Sequence, residues 1–200
     1  MMHWPKTPTT PATKWPVDIA AAKRQCRIED EVSADDALVG SYVAAATGWV
    51  EDFTGRALML QTRKVALPGF PRRLWLPYGA PNASIVAVTY ADTANATQTL
   101  SSSVYSLVQF SEPACLTLVN GQTWPSTFDR DDAVVVEYTV GASSPAAVPA
   151  ALVQAVLLLV GHWYENREQA ITGSIITNIP FAAEALCAPH RLFVHAPEWD

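Results

Sequence analysis

The spacing of apolar and polar positions changes twice along this chain. In residues 16–57, apolar side chains recur every three or four positions, which predicts two helices. In residues 58–141, short β-branched and aromatic runs alternate with turn signals such as Asn120-Gly121, which is typical of a small antiparallel sheet or barrel. Helical spacing returns in residues 142–190. The chain should therefore begin and end with helices around an inserted sheet.

Local signals set the expected bounds of these elements. The first helix should cover residues 16–27, and the second should be capped by Ser33 and ended by Gly55. A later helix should follow Pro180 and run to about Cys187. Strands are expected at residues 58–67, 73–76, 84–91, 104–109, 115–119 and 134–140, with a further short one near 98–100.

The most apolar stretch, residues 148–168, predicts the central helix. A proline at its start suits a first helical turn, where the missing N–H costs nothing. Its middle is apolar almost all round, but it is shorter than the roughly 20 apolar residues that span a bilayer. We therefore expect it inside a soluble domain, or covered by neighbouring subunits of an assembly. The residues predicted to pack this helix are Leu152, Val156, Leu159, Val160 and Trp163.

The order of elements predicts an α+β fold. It would be a helical bundle of two N-terminal and two C-terminal helices with an inserted small antiparallel β-sheet or barrel. The expected organisation is a flexible N-terminal arm, a helical domain in two segments, a β subdomain and a C-terminal tail. Their ranges are 1–15 for the arm, 16–57 with 142–190 for the helical domain, 58–141 for the β subdomain and 191–200 for the tail.

Composition and charge narrow the classes of function. Half of the 200 residues are hydrophobic, so the chain can bury a core. Its net charge of -6 argues against a protein that coats nucleic acid, although DNA could pass close by without sticking. Three separated cysteines without a CxxC pair favour a reducing cytoplasm over a disulfide framework. No apolar signal-peptide core precedes residue 16.

Few residues suggest chemistry. His162 and Glu165 share a helix face, but a di-iron site needs a second such helix, so a capping or interface role for His162 is favoured. The pair Arg72-Arg73 fits a solvated surface better than a phosphate site. The chain has no G-x-S-x-G, Walker A or G-x-G-x-x-G motif. We expect no catalytic residue, no metal ligand, no cofactor and no enzymatic activity.

Five stretches resemble one family, the phage head–tail connector (adaptor) or head-completion proteins, which also occur in prophages and gene-transfer particles. The helix ALVQAVLLLVGHWYENREQA is similar to the C-terminal helix of these proteins. AATGWVEDFTGRA resembles the end of their second helix, and LMLQTRKVALPGF resembles the strand after it. NGQTWPSTFDRDD resembles the loop before the last strand, and TNIPFAAEALCAP resembles the closing segment. Their order and spacing also fit, over residues 17–191.

The resemblance implies a homo-oligomeric ring, usually dodecameric, beneath the portal protein in the virion neck. Such a ring docks the stopper or tail-completion protein while DNA passes through its lumen without sequence-specific binding. It would assemble in the host cytoplasm and involve no membrane. Members have no catalytic residues, and longer members carry a β insertion.

The resemblance also assigns partner binding to the ends of the chain. The family's C-terminal segment contacts the portal, which by position is the tail here. Aromatic residues in both terminal segments suit docking by segments that order on binding; for the N-terminal arm, a mobile terminus with incidental aromatics is the equal alternative. The residues concerned are Arg191, Leu192, Phe193, Val194, His195 and Trp199 in the tail, with Trp4 and Trp15 in the arm.

Two other functions remain open at this point. The chain could be another neck component, a stopper or tail-completion protein, although these are typically mostly β. It could instead be a small α+β ligand-binding protein or enzyme, which would need a concave pocket with convergent polar groups.

Overall fold

A computed structural model of the chain describes residues 8–80, 82–109, 113–167 and 181–192. These residues form two compact units. The helical unit contains Lys14–Thr54 and the described residues of Ser143–Arg191. The β unit contains Gly55–Ala142, apart from its undescribed positions, with residues 8–13 and Leu192.

The helical unit is built from two segments that are far apart in the sequence. Within the described ranges it contains four α-helices: α1 (Ile19–Gln25), α2 (Asp36–Thr54), α3 (Ala150–Glu165) and α4 (Phe181–Cys187). Short 3-10 turns cover Pro145–Ala147 and Ala188–His190. Helix α3 contacts the other three helices, as expected of a central helix. None of the helices in the described ranges combines the length and apolarity that crossing a membrane requires.

The ends of the helices differ in detail from the predicted bounds. Helix α2 begins at Asp36 and not directly after Ser33. The backbone carbonyl of Ser33 accepts the N–H of Asp36 at 3.2 Å, so Ser33 lies in a turn that precedes the helix. Pro149 has an extended ψ of 130° and is the residue before α3, so it does not occupy the first turn. Gly55 follows α2 with a φ of +68°, as predicted for the residue that ends a helix.

The β unit contains two antiparallel sheets. Its described strands are β1 (Gln61–Leu67), β2 (Arg73–Trp75), β3 (Ser84–Ala91), β4 (Thr97–Thr99), β5 (Tyr105–Val108), β6 (Cys115–Leu118) and β7 (Val134–Val140). Four strands follow the order β1-β7-β3-β4, and three follow the order β2-β6-β5. Both sheets are open, so the predicted small antiparallel sheet is confirmed, and the alternative of a closed barrel is wrong for the described strands.

The last strand, β7, lies in the middle of the larger sheet. It pairs with β1 from Gln61 opposite Val140 to Leu67 opposite Val134, and with β3 along its other side. Its residues alternate between buried and half-buried, which places every second side chain in the core. The larger sheet therefore pairs the first strand of the inserted segment, β1, directly with its last strand, β7.

A polar contact and a cation lie inside the core of the β unit. The hydroxyl of buried Tyr138 donates to the carbonyl of Pro77 at 2.6 Å. Burial raises the pKa of the Tyr138 phenol well above its ordinary value, so it stays protonated. Arg63 is only 3% exposed, and its guanidinium carbon lies 3.6 Å from the centroid of the Tyr78 ring.

Candidate interaction surfaces

The base of the predicted C-terminal docking segment is described. The Arg191 N–H donates to the carbonyl of Ala188 at 3.2 Å, and its guanidinium carbon lies 5.2 Å from the centroid of the Phe53 ring. Leu192 is half-buried beside Gly55, where a Cβ on the glycine would lie 3.6 Å from Leu192. The remaining predicted docking residues lie outside the described residues; they are Phe193, Val194, His195 and Trp199.

The described part of the N-terminal arm contacts the larger sheet. The backbone N–H groups of Thr9 and Thr10 donate to the carbonyl of Thr62 at 2.8 and 3.1 Å, and the Thr62 N–H donates back to Thr10 at 3.0 Å. The arm therefore pairs with the outer edge of β1 through an antiparallel bridge between Thr10 and Thr62. Of the two tryptophans predicted as anchors, Trp15 is 45% exposed, and Trp4 lies outside the described residues.

The residues predicted to pack the central helix lie at the centre of the helical unit. Four of them have no exposed surface: Leu152, Val156, Leu159 and Val160. Trp163 is half-buried, and its ring centroid lies 6.2 Å from that of Tyr42 on α2. These four side chains of α3 are therefore covered within a single chain.

A polar cluster joins the end of α3 to the start of α2. The Tyr164 hydroxyl donates to Oδ2 of Asp35 at 2.6 Å, and a guanidinium nitrogen of Arg167 donates to the same oxygen at 3.0 Å. The hydrogen bond from Tyr164, followed by that from Arg167, lowers the pKa of Asp35. The bond to Asp35 in turn raises the pKa of Tyr164. No local sequence pattern points from Asp35 to these partners, which lie about 130 positions away.

A buried lysine makes a second set of polar contacts within the same unit. Lys23 on α1 is 4% exposed, and its Nζ donates to the carbonyl of Asp30 at 2.8 Å. The same nitrogen lies 3.1 Å from Oδ1 of Asp36, the first residue of α2. A buried charge is stable only with such partners, so this contact fixes the connection between α1 and α2.

None of these groups has the properties of an activated catalytic residue. The carboxylate of Asp35 is held by two donors, which makes it a weaker base. Burial raises the pKa of Cys187 to about 11, and burial with the charge of Glu165 raises that of Cys26, so both thiols stay protonated. The Asn166 side chain donates to the backbone carbonyl of His162 at 2.9 Å, and its amide nitrogen lies 3.5 Å from Nδ1 of the imidazole. No cluster of three metal-ligating side chains occurs among residues that the structure describes.

Several large apolar side chains are exposed, which marks them as candidate contact points. In the helical unit they include Phe181, at 80% the most exposed of the set. Phe181 is the first residue of α4. A prediction from hydrophobicity alone would have placed its side chain against the other helices. The others in this unit are Trp15, Ile19 and Val32, and those in the β unit are Leu60, Val86 and Phe128.

A groove of about 520 Å³ crosses one face of the three-stranded sheet. Its floor includes two cross-strand pairs, Arg73 with Thr117 and Trp75 with Cys115. Arg72 stands beside it and is exposed, so the groove combines positive charge with an apolar floor. The remaining lining residues are Val108 and Leu118. The sequence prediction treated Arg72-Arg73 as a solvated pair; the missed signal was the alternation that puts Arg73 and Trp75 on one face of a strand.

Comparison with protein families gives one match. The model of the head completion protein family matches residues 23–190, which includes the described elements from α2 to α4. None of the curated proteins is similar enough to this sequence to count as a match.

Solved structures similar to this chain come from gene transfer agent particles. A chain from the neck of an empty particle, computed with C6 symmetry, is 25% identical over 95% of this chain and 96% of that chain, with a TM-score of 0.75. A chain from the neck of a native particle, computed with C12 symmetry, is 25% identical over 98% and 97%, with a TM-score of 0.71. A chain from the virion of a native particle has the same fold, at 24% identity and a TM-score of 0.75.

Proposed function

This chain belongs to the head completion protein family, and from that membership we propose that it is the structural head–tail connector (adaptor) of a tailed phage or phage-like particle. The observation that carries the proposal is the extent of the match, since the family model covers both helical segments and the whole inserted sheet. A match confined to either unit would have left the role of the other unexplained.

The proposed assembly is a ring of identical subunits in the virion neck. Similar chains occur in necks that were computed with C6 and with C12 symmetry. Twelve subunits would satisfy both symmetries, because a twelvefold ring also contains a sixfold axis. We infer a dodecamer that assembles in the host cytoplasm.

A ring needs one surface patch to meet a different patch on the next subunit. The exposed apolar side chains of the helical unit, Phe181 and Ile19 among them, supply surface suited to such contacts. Because Leu152, Val156, Leu159 and Val160 are buried within the chain, we expect the subunit contacts to use other surfaces. The candidates are the exposed apolar side chains described above.

The proposed partners are the portal protein on one side and the stopper or tail-completion protein on the other. The arm with Trp4 and Trp15 and the tail beyond Arg191 are the proposed docking segments. Arg191 packs on the Phe53 ring, so the tail starts from a fixed point on the helical unit. A tail anchored in this way loses less entropy when it binds than one that is free along its whole length.

The lumen of the ring would let DNA pass without binding a particular sequence. The chain's net charge of -6 supports this, because an acidic surface repels phosphates. We also infer that the protein is not an enzyme and holds no cofactor. The raised pKa values of the Cys26 and Cys187 thiols and the double hydrogen bonding of Asp35 agree with a structural role.

The proposal is tested by removing the gene for this protein from a particle-producing strain. We expect DNA-filled heads and separate tails to accumulate, and expression of the intact chain from a plasmid to restore joined particles. An otherwise identical plasmid with an early stop codon is the control. Joined, infectious or DNA-transferring particles made without the protein would contradict the proposal.

A further inference from the structure

The turn that follows β6 carries the only Asn-Gly pair of the sequence, Asn120-Gly121. The N–H of Gln122 donates to the carbonyl of Val119 at 3.0 Å, which places the pair at the two central positions of the turn. Gly121 has a φ of +79°, a backbone conformation that favours glycine. Both residues are exposed, and a Cβ on Gly121 would meet no atom within 4 Å. The pair therefore lies on an uncrowded surface in contact with solvent.

The two groups of this pair that could react with each other are not held by other residues. Within the described ranges, neither the side-chain amide of Asn120 nor the backbone N–H of Gly121 makes a hydrogen bond. The side chain of Asn120 can therefore turn towards the nitrogen of Gly121. The cost is at most the one backbone hydrogen bond that closes the turn, from Gln122 to Val119.

A second asparagine in the β unit is restrained where Asn120 is not. Asn95 lies in the turn between β3 and β4, and its side-chain oxygen accepts from Arg130 at 3.2 Å. The nitrogen that would have to attack its side chain, that of Ala96, donates to the carboxylate of Asp92 at 3.0 Å. Hydrogen bonds to charged groups are among the stronger ones in proteins, so this nitrogen is held in place. Ala96 also carries a methyl group that a glycine lacks.

We propose that the fold leaves Asn120 open to spontaneous deamidation and protects Asn95, with water as the co-reactant. The backbone nitrogen of Gly121 loses its proton to hydroxide and forms a bond to Cγ of Asn120. The side-chain nitrogen takes a proton from water and leaves as ammonia, which closes a five-membered succinimide ring. Water then opens this ring at one of its two carbonyl groups. Opening at the side-chain carbonyl gives aspartate, and opening at the main-chain carbonyl gives isoaspartate.

Either product changes the surface of the β unit and leaves its core intact. A carboxylate of charge -1 replaces a neutral amide, so the net charge of the chain moves from -6 to -7. Isoaspartate also adds one carbon atom to the main chain, which removes the geometry of the turn. Because Asn120 and Gly121 are exposed, the buried side chains of β6 keep their contacts. This reaction does not depend on the proposed function of the chain.

The experiment incubates the purified full-length chain in heavy-oxygen water at mildly alkaline pH, below its unfolding temperature. Its peptides are then mapped by mass spectrometry after digestion at acidic pH. We expect Asn120 to deamidate at least about tenfold faster than Asn95, because breaking the hydrogen bond from Ala96 to Asp92 costs about that factor. The product should carry one heavy oxygen atom from the solvent, and the rate should rise with pH. Electron-transfer fragmentation distinguishes isoaspartate from aspartate.

Unfolding in urea separates the effect of the structure from that of the sequence. The contact between Ala96 and Asp92 is lost in urea, so the ratio of the Asn120 rate to the Asn95 rate should fall. Two matched variants identify the site in the folded chain. Asn120→Gln should abolish the fast reaction, because closure of a larger ring is slower, whereas Asn95→Gln should leave it unchanged.

Several results would overturn the proposal. One is an Asn120 that stays intact while another asparagine reacts first. A second is a product without heavy oxygen, or a fast reaction that persists in Asn120→Gln. A third is a ratio of the Asn120 and Asn95 rates that is the same in the folded and the unfolded chain, since the fold would then protect neither residue.

Discussion

The hydroxyl oxygen of Tyr164 lies 2.6 Å from Oδ2 of Asp35, so the last turn of α3 is bonded to the residue just before α2. The two residues come from opposite halves of the chain. Their contact closes the helical unit at one end, and it explains why the carboxylate of Asp35 has a lowered pKa.

Replacing Tyr164 by phenylalanine should raise the pKa of Asp35 towards its ordinary value, because the largest cause of the lowering is removed. The measurement is a carboxyl titration followed by NMR. Asp92 in the β unit is the internal control, since its pKa is lowered by Gln98 and the Ala96 amide and should not change. An unchanged Asp35 pKa would contradict the assignment of the hydrogen bond.

The same contact predicts the sign of a pH effect on stability. Asp35 has a lower pKa in the folded chain than in the unfolded chain, so its contribution is complete above the unfolded value of about 3.9. It is lost as the pH falls through the lower folded value. The difference in unfolding midpoint between the natural chain and Tyr164→Phe should therefore be constant near neutral pH and shrink in acid.

Shortening single side chains of α3 to alanine should show which face of the helix contributes most to the free energy of unfolding. Leu159→Ala removes a side chain with no exposed surface and should lower the free energy of unfolding by about 2–5 kcal/mol. Leu158→Ala, on the neighbouring half-buried position, should cost distinctly less. Urea unfolding measures both. Equal losses would contradict the described orientation of the helix.

Two glycines should respond in opposite directions to alanine. Gly141 has a φ of +107°, and a Cβ there would clash with the Met59 carbonyl and lie 2.9 Å from the Leu60 nitrogen. Gly141→Ala should lower the free energy of unfolding by at least about 1–3 kcal/mol. Gly48 lies inside α2 with open space around it, so Gly48→Ala should raise stability by about 0.5–1 kcal/mol. Thermal unfolding of both variants checks this, and a stable Gly141→Ala would refute the close approach.

Deletion of residues 191–200 should leave a folded protein that no longer joins DNA-filled heads to tails. The reason is that the helical core ends before the tail, at α4 and the turn Ala188–His190. Circular dichroism checks the fold, and particle counts by electron microscopy check the joining. A normal yield of joined particles from the deletion would remove the docking role of the tail.

Local sequence patterns were sufficient for some elements and not for others. Strands β3 and β7 coincide with the predicted ranges, because both are β-branched runs bounded by clear turn signals. The start of α2 was placed two residues early, since a serine cap and an isolated turn have the same local signature. The pairing of β7 between β1 and β3 depends on contacts across more than 40 positions, which no local period records.

The surfaces were less predictable than the fold. The stripe from Leu152 to Trp163 could be read from helical spacing, and the structure places it in the core or at its border. The groove beside Arg72 could not be found in this way, because it requires β2, β5 and β6 to pair in one sheet. Contacts such as that between Tyr164 and Asp35 likewise appear only when distant segments meet.

Electron microscopy of the purified protein, alone and mixed with its portal, shows whether the chain forms the proposed connector ring. We expect a ring stacked coaxially on the portal, with twelve copies of the chain visible in end views. A protein that stays monomeric and never binds the portal under conditions of assembly would contradict it.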